Sequence, residues 1–161
     1  PAAFDMMLTG RTLSASAALL ALATLAFAGN SIAATTPADA IKYRKAVMSA
    51  MAGHTSAFSL INFGRVEHRD HLLAHVDALA ALGTQLKVLF PAGTGTGDTD
   101  ALPLIWQEQE KFGQLITASE KSTAELRAAV TTGDKAATMK AFKAVGESCK
   151  GCHDRYRKED D

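Results

Sequence analysis

Residues 134–157 read DKAATMKAFKAVGESCKGCHDRYR, and the spacing within this stretch decides the fold. Thr138, Phe142, Val145, Cys149, Cys152 and Tyr156 recur at steps of three and four, the period of an amphipathic helix with one face turned to a core. Both cysteines fall on that seam. A helix beginning at Asp134 and ending near Tyr156 is therefore the last element of the chain.

The same period governs three segments upstream, and no alternating strand pattern competes with it. A first helix is expected from about Pro37 to Phe63, with Thr36 as N-cap, Pro37 in the first turn, and a stripe of Ile41, Met48, Ala52, Thr55 and Phe58. A second, from about Glu67 to Leu89, repeats as Leu72, Val76, Leu79, Gly83, Leu86 and Phe90. A third starts near Pro103, carries Ile105, Phe112, Leu115, Ser119 and Leu126, and ends at Gly133. Helices of roughly 20 to 27 residues span about 30 to 40 Å at 1.5 Å per residue, which predicts an all-α, antiparallel up-and-down four-helix bundle. Between the second and third, PAGTGTGDTD at 91–100 reads as a flexible connection. No strand precedes its glycines and no Gly-Lys-Ser/Thr follows, so it is not a phosphate-cradling loop.

The chain of 161 residues is 47% hydrophobic, with 17 basic and 17 acidic side chains. That balance excludes a disordered chain, and it offers nothing to grip a nucleic acid or a charged membrane surface. Residues 6–33, MMLTGRTLSASAALLALATLAFAGNSIA, have the layout of a secretory signal: Arg11, an apolar run from Leu13 to Ala28, then Ser31 and Ala33 before a cut at Ala34. The run falls short of the about 20 apolar residues that span a bilayer. Pro1 to Asp5 precede the first methionine and read as upstream sequence. The expected organisation is 1–33 upstream residues and signal peptide, and 34–161 one folded domain. Its product is soluble after signal cleavage and exported, into the periplasm of a Gram-negative organism.

Chemistry concentrates at Cys149-Lys-Gly-Cys-His153. Cys-x-x-Cys-His is the attachment sequence of c-type haem: each thiol adds to a porphyrin vinyl group and the adjoining histidine supplies an axial nitrogen to iron. On a helix the three side chains project over about one turn. A thioredoxin-like pair needs its first thiol at a helix N-terminus in an α/β setting, and a zinc site needs further ligands, whereas the other histidines lie in the first two helices. These are the only cysteines of the chain, and idle thiols in an exported protein would oxidise.

With these residues in view, the chain resembles the class II c-type cytochromes, the cytochrome c′ and cytochrome c-556 family. The most specific parts are Lys42-Tyr-Arg-Lys-Ala-Val-Met48, the Phe90-Pro and glycine-rich loop, Ile105-Trp106, and Cys149-Lys-Gly-Cys-His-Asp-Arg-Tyr-Arg157. The resemblance implies one covalent haem c in a four-helix bundle, iron held by His153, and a homodimer through the first two helices. It also implies that Met48 occupies the position opposite His153, either as a sixth ligand or as a distal blocker, with Met51 in reserve. Arg44, four residues before Met48, shares its inward face and there needs a counter-ion, for which a haem propionate is natural. Arg157, four residues past His153, matches an arginine that stands near the axial imidazole. Arg155 and Lys158 read as solvated surface, Trp106 and Phe112 as core or haem-edge packing.

Two functions remain open at this level: an electron-transfer haem protein serving redox partner proteins, or a gas-binding module for nitric oxide or carbon monoxide at five-coordinate iron. A peroxidase-like enzyme needs a distal acid/base pair. His54 lies about 120° from the Met48 stripe, so no enzymatic activity is expected. His68, His71 and His75 share one face of the second helix and form a candidate metal-holding trio. Lys135, Lys140, Lys143 and Lys150 make the last helix basic, a face suited to an acidic partner or merely a solvated one.

Overall fold

The computed structural model describes residues 34–159, so the expected signal segment lies outside the described residues. Five α-helices account for most of these: α1 (Pro37–Asn62), α2 (Leu72–Gly83), α3 (Leu104–Gln107), α4 (Gln109–Thr132) and α5 (Lys135–Tyr156). They form a four-helix bundle in which α3 is a one-turn lead-in to α4. Among the described residues no helix is long and apolar enough to cross a membrane.

Each helix end has a local cause. Thr36 caps α1 by accepting from the Asp39 amide at 3.1 Å, and its hydroxyl donates in return to the Asp39 carboxylate at 2.7 Å, a reciprocal arrangement akin to a capping box. Asp134 caps α5 through the amides of Ala136 and Ala137, at 2.8 and 3.0 Å. Gly133 closes α4 in the left-handed region, at φ 72°, where glycine carries no steric penalty.

Two expected boundaries are corrected. The second segment is regular helix only over Leu72–Gly83, flanked by tight 3-10 turns at Arg69–His71 and Leu86–Val88. At its end the Thr84 hydroxyl donates to the Ala81 carbonyl, and the Gln85 amide bonds three residues back to Leu82, the competition by which threonine and short i→i+3 bonds tighten a last turn. The third segment breaks at Glu108, whose backbone at φ −118°, ψ 44° leaves the helix while its side chain is taken up by Arg155 and Tyr156 of α5.

The core lies in two clusters. One gathers Val47, Leu86, Leu89, Ile105, Phe112 and Tyr156; the other gathers Phe58, Ile61, Leu72, Val76, Leu126 and Val145. Full burial of such side chains stabilises by about 1.5–3 kcal/mol each. α4 packs closely on α5 and α2, and α2 on α1, whereas α1 and α5 touch sparingly. One side of the bundle is thus left open. The expected stripe of α1 registers this: Ile41 and Phe58 are buried, Met48 and Thr55 are half-buried, and Ala52 is exposed, because the middle of the stripe faces an opening instead of a neighbour.

Candidate functional site

The opening between α1 and α5 is a cavity of 720 Å³. All six side chains singled out in the sequence line it: Arg44 and Met48 from α1, and Cys149, Cys152, His153 and Arg157 from α5 and its C-cap. Phe112, Leu115 and Ile116 of α4 form its apolar back wall, and Leu86 and Phe90 close one end. Cys152 packs against the first core cluster and Cys149 against the second, so the paired thiols bridge the two halves of the core.

Neither cysteine is in a disulfide. Burial pushes both thiols up, Cys152 to about 11, with Cys149 as the second cause there, while a hydrogen bond from Ser148 partly offsets the rise at Cys149. A dithiol built for exchange has its nucleophile lowered, not raised; this pair instead lies half-buried in an apolar cleft. His153, one residue on, is exposed at the cavity's edge.

Arg44 is 3% exposed and does not reach to solvent. One guanidinium nitrogen donates to the Leu89 carbonyl at 3.3 Å and the Thr94 hydroxyl at 2.9 Å, the other to the Thr94 carbonyl at 3.0 Å and the Thr99 hydroxyl at 2.6 Å. Its carbon centre lies 4.9 Å from the Phe90 ring centroid. None of these partners is an acid. Desolvation holds the guanidinium below its ordinary value, yet four acceptors and an aromatic face keep it hydrogen-bonded.

These contacts correct the reading of 91–100 as a flexible connection. The loop is wrapped around Arg44, with Thr94 and Thr99 buried. Trp106 Nε1 donates to the Phe90 and Pro91 carbonyls at 3.1 and 3.2 Å, and a Cβ on Gly95 would stand 2.8 Å from the Trp106 ring. Thr94 and Thr99 were not legible as site residues, because glycine-rich composition hides which hydroxyls will meet a buried cation.

The loop also grips the end of α5. Ala101 and Arg157 form an isolated antiparallel bridge, with Leu102 N to Tyr156 O at 2.9 Å and Lys158 N to Asp100 O at 2.8 Å. Arg155 and Lys158 are not simply solvated surface. Arg155 binds the Glu108 carboxylate, and the Lys158 ammonium donates to the Thr99 carbonyl at 2.8 Å, because the break at Glu108 and the returning loop bring acceptors to both. Glu108 and Tyr156 join the site's frame without having been singled out for it.

The expected histidine trio is rearranged. His75 turns to His54 of α1, Nδ1 to Nδ1 at 3.1 Å, while Asp70 joins His68 and His71 at the surface. His54 is thereby engaged away from the cavity, to which α1 contributes Arg44, Lys45, Met48, Ser49, Met51, Ala52, Thr55, Ser56 and Ser59.

The donor set fits the group that Cys-x-x-Cys-His calls for. Two thiols and an imidazole lie within one turn of α5, apolar walls stand behind them, soft thioethers face them from α1, and a guanidinium is fixed on the rim. Residues 39–157 match the model of the family described as Cytochrome C′. A cytochrome c′ from Rhodospirillum rubrum is 34% identical over 142 residues, 88% of this chain and 94% of its own. Among solved structures, cytochrome c prime from Shewanella frigidimarina superposes with a TM-score of 0.74 at 35% identity, over 78% of this chain and 99% of that one. The nitric oxide complex of a variant of cytochrome c prime from Alcaligenes xylosoxidans does so at 0.73 and 34% identity, over 79% and 99%.

Proposed function

Because this chain belongs to the cytochrome c′ family, whose members bind covalent haem c with iron, we propose that it is an exported, periplasmic electron carrier with haem c on Cys149 and Cys152 and iron held axially by His153. The observation that carries this reading is the convergence of both thiols, the imidazole and Met48 on one 720 Å³ cavity. Bound haem supplies a one-electron ferric/ferrous couple, tuned by axial ligation and burial.

The chain's own residues divide the work. Cys149 and Cys152 would fix the macrocycle to α5 at two points, and the apolar Phe112, Leu115 and Ile116 of α4 would exclude water from it. Arg44, bonded to neutral acceptors only, would offer its charge to a propionate carboxylate, and Arg157 would stand near the His153 imidazole. Met48, which lines the cavity from α1, would serve as sixth ligand or distal blocker. We assign no substrate and no catalysis: His54, the one histidine of α1, is paired with His75 and does not line the cavity, so α1 offers no imidazole there for proton transfer.

Partners follow from the surface. Lys135, Lys140, Lys143 and Lys150 surround exposed Phe63 and Met139 on the outer side of α5, a face suited to an acidic redox protein. Tyr43 and Leu60 on α1, with Leu73 and Val88 in the second segment, are large exposed apolar residues. The homodimer through the first two helices rests on the family resemblance, since singly exposed apolar residues are ordinary on a protein surface.

A second reading, capture of nitric oxide or carbon monoxide on iron, is favoured by one observation: a similar structure was solved as a nitric oxide complex. Visible spectra of the oxidised and reduced holoprotein separate the two. A narrow low-spin α band that Met48→Ala abolishes supports electron carriage with Met48 as ligand. A broad high-spin spectrum that responds to nitric oxide and is indifferent to Met48→Ala supports the second. No added tetrapyrrole mass, in a host that installs haem c, refutes both.

A further inference from the structure

At the entry to α2, away from the cavity, the chain makes one 3-10 turn over Arg69–His71, with the His71 amide bonded to the His68 carbonyl at 2.9 Å. In such a turn side chains three apart eclipse. The His68 and His71 rings accordingly stack, centroids 5.0 Å apart and 16° from parallel. The Asp70 carboxylate reaches round to within 3.6 Å of His71 Nε2. One ligating atom from each of the three residues lies within 4.8 Å of the others, and all three residues are exposed.

Stacked, solvent-facing imidazoles gain little from each other, and neither packs into the core. Two neutral imidazoles and a carboxylate are instead the donor set of borderline first-row divalent cations. Around one zinc ion, ligand atoms at 2.0–2.2 Å stand roughly 3.3 Å apart. The present spread is wider by an amount that side-chain rotation alone closes, and exposed rings rotate at little cost. His75 does not complete the set, since it is not among the residues whose ligand atoms gather there and its ring is turned to His54; water would fill the remaining positions.

We propose that His68, Asp70 and His71 form a surface site for a divalent transition cation, of the zinc and copper class, which staples the 3-10 turn that leads into α2. The site is independent of the haem reading, because none of its residues lines the cavity.

The test is calorimetric titration of the tag-free mature protein, as purified from an exporting host, with zinc chloride, copper sulfate and magnesium chloride. Saturable one-to-one binding of zinc, tighter binding of copper as the divalent affinity series requires, and none of magnesium are expected. His68→Ala and His71→Ala should each weaken zinc at least tenfold, Asp70→Asn less, and His75→Ala not at all. His68, Asp70 and His71 are exposed and His75 is half-buried, and an unchanged circular dichroism spectrum verifies folding of each variant. Undiminished zinc binding in the His68→Ala/His71→Ala double variant, no saturable zinc binding in the parent, or a loss in His75→Ala as large as in His68→Ala overturns the assignment.

Discussion

Arg155 and Glu108, 47 residues apart in sequence, form a two-point ion pair in which Nε donates to one carboxylate oxygen at 2.7 Å and a terminal nitrogen donates to the other. The Tyr156 hydroxyl adds a third bond to the same carboxylate at 2.9 Å. Glu108 is the residue at which α3 gives way to α4, and Arg155 and Tyr156 follow His153 by two and three positions. The pair therefore ties the helix break to the turn that carries His153, and a bidentate guanidinium–carboxylate contact fixes orientation as well as distance.

The Glu108 carboxyl is held near 2, against an ordinary 4.5, mainly by the hydrogen bonds of Arg155 and Tyr156. A group whose folded pKa is depressed stabilises the fold above its unfolded value and loses that contribution as pH falls through the folded one. Glu108→Gln should therefore lower the urea midpoint at pH 7 and show a shallower loss of stability between pH 4.5 and pH 2 than the parent. Parallel pH profiles of the two proteins would refute the coupling.

Arg44 makes the opposite kind of contact, a buried cation among neutral acceptors. Arg44→Met keeps the bulk but strands the Leu89 and Thr94 carbonyls and two hydroxyls, at a cost of about 2–4 kcal/mol. Arg44→Lys should recover only part of this, because an ammonium cannot reproduce the two-nitrogen fork. Urea unfolding of the three proteins measures both steps, and full recovery by lysine would contradict the role given to the fork.

The division between what was legible and what was not follows the range of the interactions. The Cys-x-x-Cys-His motif and helical period placed Cys149, Cys152 and His153 on one face of the last helix, and the family resemblance pointed to Met48 and Arg157; Arg44 followed from Met48, because residues four apart share a face whatever the partner helix does. The breaks at Glu108 and Gly83 escaped, since each is set by a contact that period does not encode: Arg155 from another helix, and the local hydroxyl of Thr84. The loop at 91–100 was misread for a related reason. Its glycines signal permissive backbone, but what holds it is Arg44 from α1 and Trp106 from α3, neither of which its own composition announces. The histidines likewise follow helical period only as far as α2 is regular, and the 3-10 turn before Leu72 rotates His68 and His71 out of register with His75.

Gly95 is where that loop can be probed most directly. A methyl group there would sit 2.8 Å from the Trp106 ring, which is itself anchored by its indole N–H to the Phe90 and Pro91 carbonyls. Gly95→Ala should push the ring off its acceptors and cost about 1–3 kcal/mol, the range for forced overpacking, with a red shift and quenching change in the fluorescence of the single tryptophan. A variant as stable as the parent, with unaltered emission, would mean that the loop yields where the structure has it held.

The His54–His75 contact joins α1 to α2 through one hydrogen bond, and that bond requires one ring to donate while the other accepts. Burial first, then the charges of His54 and His71, lower the His75 pKa from its ordinary 6.5. A histidine with a depressed folded value binds its proton more readily when unfolded, so the fold loses stability as pH drops below about 6.5 and the loss levels off once pH passes the folded value. Glu67 and Asp70 flank the preceding turn, and no carboxylate is among the causes acting on His75, so no acid offsets the second proton. In chelator-containing buffer, to exclude bound cations, thermal midpoints should fall between pH 6.5 and pH 5. His75→Gln, which keeps a hydrogen-bonding side chain but cannot charge, should flatten that fall, and an identical slope in parent and variant would assign the pH dependence to other groups.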